Sequence, residues 1–176
     1  MAGQVADTNI TFEVYNNARR MIGIAEVTLP NAQPMTAEVK GSGMSGTIDK
    51  PVLGQFQSMT LTINWRTITD EGGVQELMEP RSHHLEFWAA TQRSAPDQGG
   101  RYVVKQHKII VAAEPKNLTI GKLGVAENQD RSLEMEVSYL REFYDGNETL
   151  EIDKYNSVYR VNGQDMYADV RAAVGL

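Results

Sequence analysis

Residues 131–144 alternate with a period of two. Leu133, Met135, Val137, Tyr139 and Phe143 fall on one side of the repeat, and Glu134, Glu136, Ser138 and Glu142 on the other. Successive side chains of an extended chain point to opposite faces, so this stretch predicts a long, half-buried strand. Asp145-Gly146-Asn147 follows, a turn signal because Gly and Asn adopt positive φ at little cost. Further strands are predicted at 149–153 and 157–161, the second leading to Asn162-Gly163 and a final helix. One face of this unit is core. The other is acidic and must point at something.

The 176 residues suffice for one domain, 1–176, with a substantial core. The net charge is −6. It is concentrated: residues 126–153 hold nine acidic and two basic residues, a local net of −7. That balance argues against non-specific nucleic-acid binding, which needs a basic surface. The chain has no cysteine, which excludes disulfides, thiolate metal sites and a cysteine nucleophile. Residues 1–17 show no basic segment followed by an apolar run, so no export signal is expected, and no apolar run suggests a membrane anchor.

Upstream, Ile10, Phe12 and Val14 alternate with polar neighbours, Asn16-Asn17 marks a turn, and 21–29 reads as a second strand, giving an N-terminal hairpin. Residues 31–56 hold Pro34, Gly41, Gly43, Gly46, Pro51 and Gly54 and read as a long extended arm, with short strands near 36–40 and 47–52. Met59, Leu61, Ile63 and Trp65 alternate with polar residues in a strand over 58–66. A short helix is expected over 70–79, capped by Asp70 and stopped by Pro80. Strands follow at 85–91, 101–113 and 117–125, and a terminal helix at 164–174 with Met166, Val170, Ala173 and Val174 on one stripe. The fold class is mainly β: an antiparallel sandwich or small barrel with a short internal helix, a C-terminal helix and an extended arm.

No catalytic constellation emerges. Gly41-Ser42-Gly43-Met44-Ser45-Gly46 matches G-x-G-x-x-G, but a dinucleotide loop must open a helix, and Pro51 forbids one here. The stretch reads as a loop tip. His83 and His84 are adjacent in a strand and face opposite ways, and His84 with Glu86 lacks a third ligand. Both histidines are expected at the surface or a strand end, and His107 on a solvated edge. Glu134 and Glu136 share a face, but a glycosidase pair needs an aromatic-lined cleft, and aromatics are 7% of the chain. Trp65 and Trp88 are expected in the core. No enzyme activity, cofactor or metal is expected.

An ordered set of motifs carries a resemblance. Glu151-Ile152-Asp153, then Val161-Asn162-Gly163-Gln164-Asp165 and the closing Val174-Gly175-Leu176, resemble the end of the major tail tube proteins of contractile-tailed phages. Val27-Thr28-Leu29-Pro30, the glycine loop 41–46 and the Tyr139-to-Gly146 strand end resemble further elements of that family in the same order. Residues 66–125 match in length and strand character alone. The family implies a β-barrel or sandwich subunit that forms six-membered rings, stacked into a tube inside a contractile sheath that drives it through a target envelope. It also implies the partners: other copies of the chain, the sheath, a baseplate or tube initiator, a tape-measure protein, and DNA that passes without specific binding. The subunit would be made in the bacterial cytoplasm and reside in a virion tail or an extracellular bacteriocin particle.

Under that resemblance the arm tip, Lys40, Gly41, Ser42, Gly43, Met44, Ser45 and Gly46, is expected to contact other subunits. Glu134, Glu136 and Glu142 are expected to line the channel, where carboxylates repel phosphate over a Debye length of about 8 Å; the alternative is the sheath-facing surface. A type VI secretion-like tube carrying effectors is the competing assembly reading. A monomeric barrel binding a small ligand is the competing non-assembly reading.

Overall fold

The computed structural model describes residues 8–43, 45–66, 71–95 and 101–176. Met44, the expected cap Asp70 and most of the turn expected at 94–100 lie outside the described residues. Twelve strands and two short helices follow in order: β1 (Thr8–Asn16), β2 (Arg19–Met21), β3 (Ile24–Thr28), β4 (Pro34–Val39), β5 (Ile48–Phe56), β6 (Thr60–Trp65), α1 (Glu71–Leu77), β7 (His83–Ala95), β8 (Arg101–Thr119), β9 (Arg131–Tyr144), β10 (Asn147–Asp153), β11 (Val158–Val161), β12 (Gln164–Asp165) and α2 (Ala168–Ala173). All pairings are antiparallel.

The main sheet runs β12-β11-β10-β9-β8-β7-β1-β2. Its organising strand is β9, the long alternating stretch. On one side β8 accompanies it from Ser132 to Tyr144. On the other, β6 pairs with residues 131–136 and β10 with residues 139–144. β6 also pairs with β3. The handover lies at two adjacent residues. Val137 N–H donates to Met59 O at 2.8 Å, and Ser138 O accepts from Lys154 N–H at 3.1 Å.

The core is contributed by Met59, Leu61, Ile63 and Trp65 of β6 and its approach, and by Leu133, Met135 and Val137 of β9. Leu85 and Phe87, Val111 and Ala113, and Val74 and Leu77 of α1 complete it. Each large apolar side chain so enclosed stabilises the fold by about 1.5–3 kcal/mol.

Turns predicted from composition fall where expected. Asp145 and Gly146 (φ 47° and 80°) join β9 to β10, and Asn162 and Gly163 (φ 50° and 75°) join β11 to β12. Two consecutive left-handed residues make the turn whose twist matches a hairpin. Asp153, the end of the Glu-Ile-Asp triplet, accepts from the backbone N–H groups of Tyr155 (3.0 Å) and Asn156 (2.9 Å) and so shapes the next turn.

Several expectations are corrected. The second N-terminal strand is two strands. Gly23 (φ 86°) breaks it, so β2 stays with β1 while β3 leaves to pair with β6. No separate strand spans 117–125; β8 continues to Thr119 through an irregularity at Pro115–Asn117, where a residue lacking N–H is tolerated. The terminal helix is shorter than 164–174, because Gln164 and Asp165 pair with β11 as β12. Its apolar stripe is not packed: α2 has no buried residue, and Met166 and Val174 are exposed. Trp65 is core, but Trp88 alternates out of register with Leu85 and Phe87 and lies half-buried on the outer face. His83 opens β7, a strand end as expected, but is fully buried and not at the surface, its Nε2 3.1 Å from Glu79 O. His107 is no edge residue, since β8 lies between β7 and β9.

The arm is a separate two-stranded sheet of β4 and β5. Its base leans on the C-terminal segment. Phe56 meets Tyr159 edge-on at 5.1 Å, and Gln55 Nε2 donates to the Tyr167 hydroxyl at 3.0 Å. Gly54 (φ 66°) lies under the Tyr167 ring, where a Cβ would come within 2.3 Å of a ring carbon. Gly54→Ala therefore meets both backbone strain and a steric clash, and is expected to lower stability by about 1–3 kcal/mol. Gly41→Ala has no atom within 4 Å of its new Cβ and is expected to be near neutral. Thermal unfolding of the two variants checks the contrast.

Candidate assembly surfaces

The three carboxylates expected on one acidic face do not share one. Glu134 and Glu136 lie opposite Thr62 and Thr60 of β6, on the outer face. Between Val137 and Tyr139 the ladder with β8 shifts register, leaving Ser138 as an extra residue. A bulge reverses the facing of everything beyond it. Leu140 therefore replaces Tyr139 as the inward residue, and Glu142, opposite Ile109 and Leu150, points inward as well.

Glu142 is satisfied there. His107 Nε2 lies 2.8 Å from its Oε1, and the Thr149 hydroxyl donates to its Oε2 at 2.9 Å. The His107 ring stacks on Tyr144 with centroids 4.3 Å apart.

The outer face is charge-paired rather than acidic. Burial pushes the Glu136 carboxyl up, but donation from the Ser58 hydroxyl (2.6 Å) and the ammonium groups of Lys116 (3.2 Å) and Lys154 (3.8 Å) hold it below its ordinary value. Glu134 accepts from Asn117 Nδ2 at 3.3 Å. Across the sheet, Glu86 binds Lys108 at 2.9 Å and Trp88 Nε1 at 3.1 Å, with the Lys108 ammonium over the Trp88 ring. Arg141 pairs with Glu148, and Glu151 joins the Tyr139 hydroxyl (3.0 Å) to Arg160 (2.8 Å). Burial and the Glu151 hydrogen bond push the Tyr139 phenol up to about 12. These rows follow the strand register: Glu13, Trp88, Lys108, Phe143 and Glu148 stand successively opposite one another, as do Tyr15, Glu86, Ile110, Arg141, Glu151 and Arg160.

The sequence reading missed this network. Its signal was present in the parity of β7, since Trp88 and Glu86 alternate with Leu85 and Phe87. The Arg141 and Glu151 pairing was hidden because it depends on the register shift at Ser138.

The arm tip is placed as an exposed hairpin end. Lys40, Gly41, Ser42, Gly43, Ser45 and Gly46 are all exposed, and Lys40 pairs with Glu38 at 3.3 Å. The glycine motif opens strand β5 and not a helix, so it has no helix N-terminus to hold a phosphate. Among the described residues, no three His, Asp or Glu side chains are grouped to hold a metal ion.

Known proteins place this geometry. The family described as Phage tail tube protein FII matches residues 9–175. The tail tube protein of Escherichia phage P2 is 27% identical over 174 residues, which cover 93% of this chain and 94% of that protein. A subunit in the cryo-EM structure of the sheath/tube terminator of an extracellular contractile injection system, PVC, in its extended state, aligns with a TM-score of 0.54 at 13% identity, covering 76% of this chain and 94% of that one. One in the PVC sheath–tube complex aligns at 0.53 and 13%, covering 75% and 87%. These two share the mainly antiparallel fold. The family match spans the sheet, the arm and the terminal helix together, and the chain belongs to the phage tail tube protein FII family.

Proposed function

We propose that this chain is the structural subunit of the inner tube of a contractile tail, in a phage or a phage-tail-like particle. It polymerises as six-membered rings that stack around a channel. Family membership over residues 9–175 carries the reading. The relatives support its setting: one bears the name tail tube protein, and two structural neighbours come from sheath–tube assemblies. The tube lies within a sheath, starts from a baseplate or tube initiator, takes its length from a tape-measure protein and, in a phage, passes DNA without specific binding. The subunit is made in the bacterial cytoplasm and ends in the particle's tail. All of its 176 residues act as one tube domain.

Unfinished surfaces in the isolated chain favour assembly. β1 pairs with β2 only from Val14 to Asn16, which leaves the outer edge of Thr8–Glu13 without a strand partner among the described residues. Exposed edges are aggregation-prone unless paired or covered, and a closed ring covers them. The residues flanking α2, Met166 and Val174, and the arm likewise expose apolar side chains.

The outer sheet face bearing Glu134 and Glu136 lines the channel in this reading. A wall of carboxylates balanced by Lys116, Lys154, Lys108, Arg141 and Arg160 offers a passing polyanion no net positive site. Glu142, on the inner face beside His107, takes no part in that wall. The arm tip, residues 40–46, contacts other subunits.

Two measurements test this. Deleting residues 41–46 is expected to leave a folded subunit, by circular dichroism, that forms no tubes in negative-stain micrographs; normal tubes from that variant sink the arm assignment. In this cysteine-free chain, Glu134→Cys in assembled tubes is expected to react with a small maleimide and to resist a large polymer-linked one by at least about tenfold. Equal reaction with both reagents places the residue away from the channel.

A further inference from the structure

The arm has two unlike faces. In the β4–β5 ladder, Ala37 stands opposite Lys50 and Val39 opposite Ile48, whereas Glu38 stands opposite Asp49 and Thr36 opposite Pro51. Alternation adds Met35 and Val52 to the first set. One face is therefore mostly aliphatic with a single ammonium, and the other is mixed, with Glu38 and Asp49 beside Pro51 and Leu53. The aliphatic face is bare: Ile48 is 58% exposed, Met35 48% and Val39 40%. A two-stranded sheet is marginal in water without a third strand or a covering layer, and among the described residues neither lies on that face.

The main body has the converse defect. A cleft of about 340 Å³ opens between β3 and the sheet, lined by Phe12, Val27, Leu29, Phe87 and Ile109, with Glu26 beside them. It marks the place where β1 and β3 fail to close the barrel, since neither pairs with the other. Glu26 is exposed and has no side-chain partner among the described residues, and the same holds for Lys50 on the arm.

We propose that the aliphatic face of one copy's arm covers the β1–β3 cleft of another copy, with Lys50 meeting Glu26. The occupant is a second copy because the two surfaces complete each other in shape class and in charge. The arm leaves the body just after β3, one wall of the cleft, and its base leans on β11 and Tyr167. Arm and cleft are unlike patches, and such a contact repeated in one direction is heterologous, so it closes a ring or propagates a stack. The inference rests on the tube-subunit reading and adds the surface that receives the arm.

A charge-reversal cycle tests it. Lys50→Glu and Glu26→Lys are each expected to reduce tube formation about tenfold at low salt, because each sets like charges together at the contact. The double variant Glu26→Lys/Lys50→Glu is expected to recover it. Both positions are exposed, and circular dichroism of the free subunit checks that each variant folds. Tubes that form equally well with either single reversal, or a double variant that stays impaired, overturn the proposal. As a second readout, equimolar Leu29→Cys and Ile48→Cys chains are expected to form a disulfide-linked heterodimer on co-assembly and oxidation. Tubes without that product also overturn it. A parent chain that forms no rings or tubes at all is a different failure, and it sinks the tube reading itself.

Discussion

The structure depends on one strand changing partners. β9 is paired along one side with β8 and divided along the other between β6 and β10. The change happens at Val137 and Ser138, where the Val137 N–H bonds to Met59 O and the Ser138 carbonyl to the Lys154 N–H. An extended chain has one row of N–H and C=O groups on each side, so two strands can share a side only end to end. This division lets β6 and β3 fold away from the β10–β11 layer and cover the inner face of the sheet. Without it, Leu133, Met135 and Val137 would have no opposing layer to bury against.

The bulge at Ser138 accompanies the handover and sets the chemistry of both faces. Before it, odd-numbered residues of β9 point inward; after it, even-numbered ones do. That reversal puts Arg141 on the outer face among Glu148 and Glu151, and puts Glu142 inside against His107 and Thr149. The outer face thus becomes a field of paired charges spread over six strands. Half-exposed pairs of this kind add little stability, typically under about 1 kcal/mol each. Their effect is on the field a neighbour or a passing polymer experiences.

Local features were legible in the sequence. Asp145-Gly146 and Asn162-Gly163 are turns because their backbones demand positive φ wherever the chain goes next. β6 and the first half of β9 were readable because one solvent face and one core face enforce strict alternation. Glu142, Trp88, His107 and the strand at 21–29 were misplaced for a common reason. Each depends on a single-residue shift or on which strand lies alongside, and neither leaves a trace in periodicity. Gly23 looks like any strand glycine until β3 is seen leaving β1 for β6. The family motifs survived that limit, since Glu151, Ile152, Asp153, Asn162 and Gly163 occupy turns and core positions set by local geometry.

The sequence by itself determined a mainly antiparallel β chain, its tight turns and the exposed glycine-bearing arm, because these follow from alternation, φ preference and composition. Only the tertiary structure decided which carboxylates share a face, that many of the acidic side chains pair with cations from other strands, and that an arm with one mostly aliphatic face coexists with an uncovered cleft. Those outcomes are set by register and strand order, which bring together residues as distant as Ser58 and Glu136 or Gly54 and Tyr167. Pairings at such separation arise from how the sheet closes, and the local pattern of one segment carries no record of them.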